Sequence, residues 1–139
     1  MKLTYLITHI VFCSLMLVGC SSQQRPLIHK GIVYNQTGIE IKEFKLVHLP
    51  THGTLGLSGI LANDRAEIGI SPKVLMGTEA QLSWNENGIH KAVSLDLQTL
   101  IGVKSVKSVK SVKRYILIYT LLPGGRASVK LKPYAETQF

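Results

Sequence analysis

His48 and His52 stand four residues apart, the spacing that sets two imidazoles on one helix face for zinc. Pro50 lies between them, in a strand-then-turn context, and excludes that helical geometry. His29 or His90 would have to add a ligand, and catalytic zinc needs three protein ligands, structural zinc four. No carboxylate or thiolate stands close by in the chain to complete the set, so these histidines read as surface or turn residues. Neither a metal nor a cofactor is expected. Asp64 and Glu67 are the nearest thing to a carboxylate pair, and glycosidic chemistry needs two carboxyls about 5–9.5 Å apart across a cleft. Asn63-Asp64-Arg65 reads instead as a turn with a polar tip. Ser58-Gly59 and Ser71-Pro72 lack the context of a nucleophile elbow. The Gly53 to Gly59 stretch lacks the Lys-Ser/Thr of a phosphate loop, and its glycines fit turns or an edge strand. With no acid, base and nucleophile to name, the chain reads as non-enzymatic.

Two features point to binding. Trp84, with Tyr34, Tyr115, Tyr119 and Tyr134, offers a candidate face for a glycan or peptide, although aromatics in alternating strands usually fill a core. The second is a repeat: Val103-Lys104-Ser105, Val106-Lys107-Ser108, Val109-Lys110-Ser111 and Val112-Lys113-Arg114. A period of three matches neither the strand period of two nor the helical 3.6. The repeat therefore reads as a solvated loop enlarged by duplication. Lys104, Lys107, Lys110, Lys113 and Arg114 form a candidate contact for an anionic surface. They account for five of the sixteen basic residues; setting them and Lys2 aside leaves ten basic against eight acidic. The net charge of +8 is a local patch, and nucleic acid is not the expected partner.

The elements that must carry these residues read as short strands. Ala80, Leu82 and Trp84 alternate with polar neighbours, Asn87-Gly88 signals a tight hairpin, and Val93, Leu95 and Leu97 alternate on the return. Tyr115 to Leu122 is apolar at nearly every position, as in a strand covered on both faces. Pro123-Gly124-Gly125-Arg126 then turns the chain into an alternating run through Val129 and Leu131. Earlier strands are expected at Ile32–Tyr34, Ile39–Leu49, Leu55–Ala62 and Arg65–Ile70. Within Ile39–Leu49 the apolar phase switches from Ile39 and Ile41 to Phe44 and Leu46, which predicts a bulge near Lys42 and Glu43. Seven or eight strands without an amphipathic helix predict an all-β fold, a small antiparallel β-sandwich; an immunoglobulin-like outline is one option, and without paired cysteines flanking a tryptophan the topology stays open.

The first twenty residues carry the expectation for location. An apolar run behind Lys2 ends in Leu17-Val18-Gly19-Cys20 and is followed by Ser21-Ser22-Gln23-Gln24. This resembles the lipobox signal of bacterial lipoproteins. The resemblance implies cleavage between Gly19 and Cys20, lipidation of Cys20, and loss of Cys13 with the signal, leaving a 120-residue mature chain without a disulfide. By the sorting pattern of that class, Ser21 after the cysteine implies the periplasmic face of the outer membrane in a diderm cell. The expected organisation is a signal over 1–19, a lipidated cysteine and flexible tether over 20–29, one β-sandwich over 30–134 with the basic loop at 103–114, and a tail over 135–139. The expected role is an anchored accessory or interaction module. Its partners would be the membrane, through the lipid, and an envelope protein.

Overall fold

Alternating apolar and polar residues build strands here because successive side chains of an extended chain point to opposite faces. The computed structural model describes residues 25–70, 75, 77–101, 107–108, 111–112 and 114–134. The strands are β1 (Leu27–Asn35), β2 (Ile41–Leu49), β3 (Gly53–Ile60), β4 (Arg65–Ile68), β5 (Glu79–Glu86), β6 (Ile89–Asp96), β7 (Lys107–Ser108), β8 (Ser111–Val112), β9 (Arg114–Leu122) and β10 (Arg126–Pro133). One four-residue helix, α1 (Gln98–Ile101), follows β6. Among the described residues no helix is long and apolar enough to cross a membrane.

The strands form two four-stranded sheets, β10-β9-β1-β4 and β3-β2-β5-β6, while β7 and β8 pair only with each other. Their inner faces share one apolar core, in which Trp84, Tyr119 and Phe44 are the largest fully buried side chains. The molecule is the expected small β-sandwich, with one departure from antiparallel order. β1 and β9 run parallel, from Leu27 opposite Arg114 to Asn35 opposite Leu121. A parallel pair requires a long crossover, and here the whole second sheet lies within the connection.

The bulge in β2 is present. Register shifts between Lys42 and Lys45, and Glu43 takes a left-handed φ of 51°. The inserted residue lets Ile41 and Phe44 both face inward. Asn87 and Gly88, with φ of 49° and 80°, form the two-residue turn between β5 and β6. β9 is covered less than expected. Tyr115, Leu117, Tyr119 and Leu121 are buried, but Ile116, Ile118, Thr120 and Leu122 on its other face are only half-buried, because among the described residues no second layer packs on that face. Val93 and Leu95 are likewise half-buried, since β6 is an edge strand. The domain also starts earlier than Lys30: β1 opens at Leu27, Ile28 is fully buried, and a second bulge at His29 resets the phase. Residues 1–24 and 135–139, which include the lipobox and the tail, lie outside the described residues.

One buried polar side chain ties the corner of the sandwich. Asn35 is fully buried at the end of β1. Its Nδ2 donates to the carbonyls of Ile39 (2.7 Å), Ile60 (3.0 Å) and Leu61 (3.0 Å). Its Oδ1 accepts from the Thr37 amide (3.1 Å) and hydroxyl (2.7 Å). Its own backbone N–H donates to Asp64 O at 2.9 Å. β1, the 36–40 turn, the end of β3 and the 61–64 turn are thereby joined through one residue. Asn35→Asp keeps the shape but sets a carboxylate against three carbonyls, and a lost buried hydrogen bond costs about 1–3 kcal/mol, more for a charge. The expected result is a fall of about 2–4 kcal/mol in urea unfolding with unchanged slope. A loss below about 0.5 kcal/mol would show that the corner holds without the amide.

Candidate functional site

After the β2 bulge, the strand places Phe44, Leu46 and His48 on one inward face, so His48 is a core residue and not the turn residue expected. Its Nε2 lies 2.6 Å from the Tyr119 hydroxyl, which projects inward from β9 in the opposite sheet. The two rings are tilted by 37° with centroids 6.1 Å apart. Burial lowers the His48 pKa and raises that of Tyr119. Both groups are therefore held neutral, sharing one proton across a single hydrogen bond. A recess of about 210 Å³, lined by Leu46, Gly53, Thr54, Leu55, Gly69 and Ile70, reaches His48 from between the sheets. The pair gives and accepts a hydrogen bond but has no carboxylate to orient it, so its evident chemistry is to pin one sheet to the other.

The remaining candidates are dispersed. His29 stacks on Tyr134 with centroids 3.9 Å apart, His52 sits in the turn after β2, and His90 is exposed on β6. No group of three metal-binding side chains occurs among the described residues. Glu67 pairs with Lys30 at 2.7 Å, and Asp64 Oδ1 accepts from the Arg65 amide, so each carboxylate has a local partner. Trp84 has no exposed surface. Its indole fills the core and its Nε1 donates to Glu86 Oε1 at 2.7 Å, which removes it as a ligand face. Of the Val-Lys-Ser repeat, Lys104, Lys110 and Lys113 lie outside the described residues. Lys107 and Ser108 pair antiparallel with Val112 and Ser111, and Arg114 opens β9 with its side chain exposed.

A feature of the whole sheet was not expected from any single segment. The strands of the first sheet carry Lys30, Arg65, Arg114, Arg126, Lys130 and Lys132 against a single carboxylate, Glu67. Those of the second carry Lys42, Lys45 and Lys91 against Glu43, Glu79, Glu86 and Asp96. Cross-strand partners share a face. The registers place Lys130, Ile118, Ile32 and Glu67 in one outward row, with Lys132, Ile116 and Lys30 in the next. The alternation of Arg126, Ser128, Lys130 and Lys132 was a readable signal, but the strands beside them were not.

The fold defines the chain as a small all-β sandwich protein. No protein-family profile matches it, and no curated protein does. Among solved structures, it is similar to the NMR structure of the protein from Eubacterium rectale, with a TM-score of 0.46 and 10% identity over 86% of this chain and 99% of that one.

The buried imidazole sets a pH dependence. Its folded-state pKa lies below the 6.5 of the free side chain, so the unfolded chain takes up the proton first. Its contribution to stability is complete above about pH 6.5, falls as pH drops below that value, and levels off once the folded form is protonated too. His48→Gln should flatten this acid-side loss in urea titrations at stepped pH. Tyr119→Phe should cost about 1–3 kcal/mol at pH 8 by leaving the imidazole without its partner. Equal acid sensitivity in wild type and His48→Gln would show that His48 is not the group responsible.

Proposed function

We propose that the chain is a lipid-anchored cell-envelope protein that works by binding rather than by catalysis. In this reading, residues 1–19 are removed and Cys20 carries the lipid. The sandwich is an accessory module at the periplasmic face of the outer membrane, presented to an envelope protein partner. The observation that carries the reading is the parallel register of β1 and β9. Leu27, where the chain from Cys20 enters the fold, stands opposite Arg114, the last residue of the lysine repeat. The tether and the repeat therefore enter the first sheet at the same end.

The tether is short. Ser21 to Gln24 separate Cys20 from Arg25, and five residues of fully extended chain span at most about 18 Å. A domain held that closely has its basic end within reach of headgroup charge, where each Lys or Arg contributes about 1 kcal/mol. Charge next to the attachment point fits an anchored protein better than one that diffuses freely.

Fractionation of cells expressing the full chain tests the reading. Wild type should remain in the membrane pellet through high-salt washing and require detergent for release, with a mass matching a lipidated chain beginning at Cys20. Cys20→Ala should abolish the lipid mass and the cleavage. Crosslinking in intact cells should recover an envelope protein with wild type and lose it with Cys20→Ala. A wild-type chain recovered unlipidated with its first nineteen residues intact would overturn the lipoprotein reading.

A further inference from the structure

We propose that the outward face of the β10-β9-β1-β4 sheet lies against the anionic headgroups of the membrane that holds the tether. For its position at that membrane the inference rests on the lipid-anchored reading. Its recognition chemistry stands on the sheet alone. Six basic residues against one carboxylate occupy the strands of this sheet, whereas the other sheet carries three against four. Arg114, Arg126, Lys130 and Lys132 are exposed. Glu67, the single acidic group, is held by Lys30 at 2.7 Å and stays ionised, because that ammonium lowers its pKa.

Beneath the charges lies an aliphatic floor. Ile32 is 6% exposed even though it faces outward, and its register partner Ile118 is half-buried, as is Ile116 in the next row. Lysine stems cover such a floor while their ammonium heads stay in water. The face is therefore charged at its outer level and apolar only below, unlike the apolar centre of a stable protein interface. Its charge is also spread along four strands and not gathered around a concave pocket, which suits a plane of anions rather than one small anionic ligand. The tether supplies the second argument. It enters beside Arg114 and spans at most about 18 Å, which confines this end of the sheet close enough to the membrane for the face to settle onto the headgroups, where the attraction acts within about one Debye length.

The test is amine labelling of the full lipidated chain reconstituted in vesicles of phosphatidylcholine alone or of phosphatidylcholine with phosphatidylglycerol. Labelling is read at each lysine by mass spectrometry. Lys30, Lys130 and Lys132 should be protected several-fold on the anionic vesicles only, and the protection should vanish in high salt. Lys42 and Lys45, exposed on the other sheet, are controls within the same molecule and should not change. Flotation of the mature chain, residues 20–139 with Cys20→Ser and so without either lipid or the apolar signal run, provides the second readout. Combined with Arg114→Gln, Lys130→Gln and Lys132→Gln, its binding to anionic vesicles should fall about fivefold for each charge removed.

A wild-type chain that stays on both vesicle types with identical labelling overturns the basic-face inference and leaves the anchor standing. A wild-type chain that carries no lipid and floats only with anionic vesicles, through those three residues, supports the face and overturns the anchor. Protection of Lys130 and Lys132 that appears only on adding an acidic envelope protein, and never with lipid, overturns the membrane as occupant in favour of a protein.

Discussion

Without the ladder between β1 and β9, the first sheet would fall into two ribbons, β1 with β4 and β9 with β10. Two-stranded ribbons are at best marginal in water, and neither would present a continuous wall to the second sheet. The parallel pairing turns them into a four-stranded layer. It aligns Gly31 with Leu117 and Val33 with Tyr119 on the inner face, and Lys30 with Ile116 on the outer one. Gly31 belongs to this arrangement for a steric reason. A Cβ there would lie 2.5 Å from Ile68 Cγ1, so only glycine lets β4 pack as it does. The pairing joins the first described strand to one near the end of the chain, so its loop-closure cost must be met before the core can form.

The interior polar groups act on arrangement more than on net stability. A satisfied hydrogen bond contributes only about 1 kcal/mol, but an orphaned group costs more, so a buried amide or imidazole penalises every packing that leaves it unpaired. Asn35 sets where the 36–40 and 61–64 turns sit against the end of β3. The His48–Tyr119 bond sets how far β2 slides over β9, one link in each of the two sheets. Among the described residues no buried side-chain nitrogen or oxygen lacks a partner.

Local chemistry was legible in the sequence wherever it depended on neighbours in the chain. The Asn87-Gly88 turn, the alternation around Trp84 and the phase switch at Lys42 and Glu43 all describe short-range geometry, and all appear as expected. His48 departs from the expected turn position because the bulge at Glu43 sets the phase of the strand up to Pro50, which directs His48 inward with Phe44 and Leu46. Trp84 was placed on the right strand, and its burial follows from the same alternation. The outward basic row could not be read, because Lys130 and Glu67 become neighbours only through Ile118 and Ile32 on two intervening strands. Nor could the parallel register, since nothing in Leu27 or Arg114 alone names the other as its partner.

The β7–β8 ladder pairs with neither sheet, and the repeat that contains it occupies the connection between α1 and β9. A unit of Val-Lys-Ser gained or lost there changes the connection by three residues and the charge by one, while every rung of the two main sheets keeps its partner. Even doubling a loop adds only about 0.6 kcal/mol of closure entropy. Tandem duplication at this place therefore acts as a dial. Each unit added or removed would move the protein's positive charge by one step, at almost no structural risk to the sandwich.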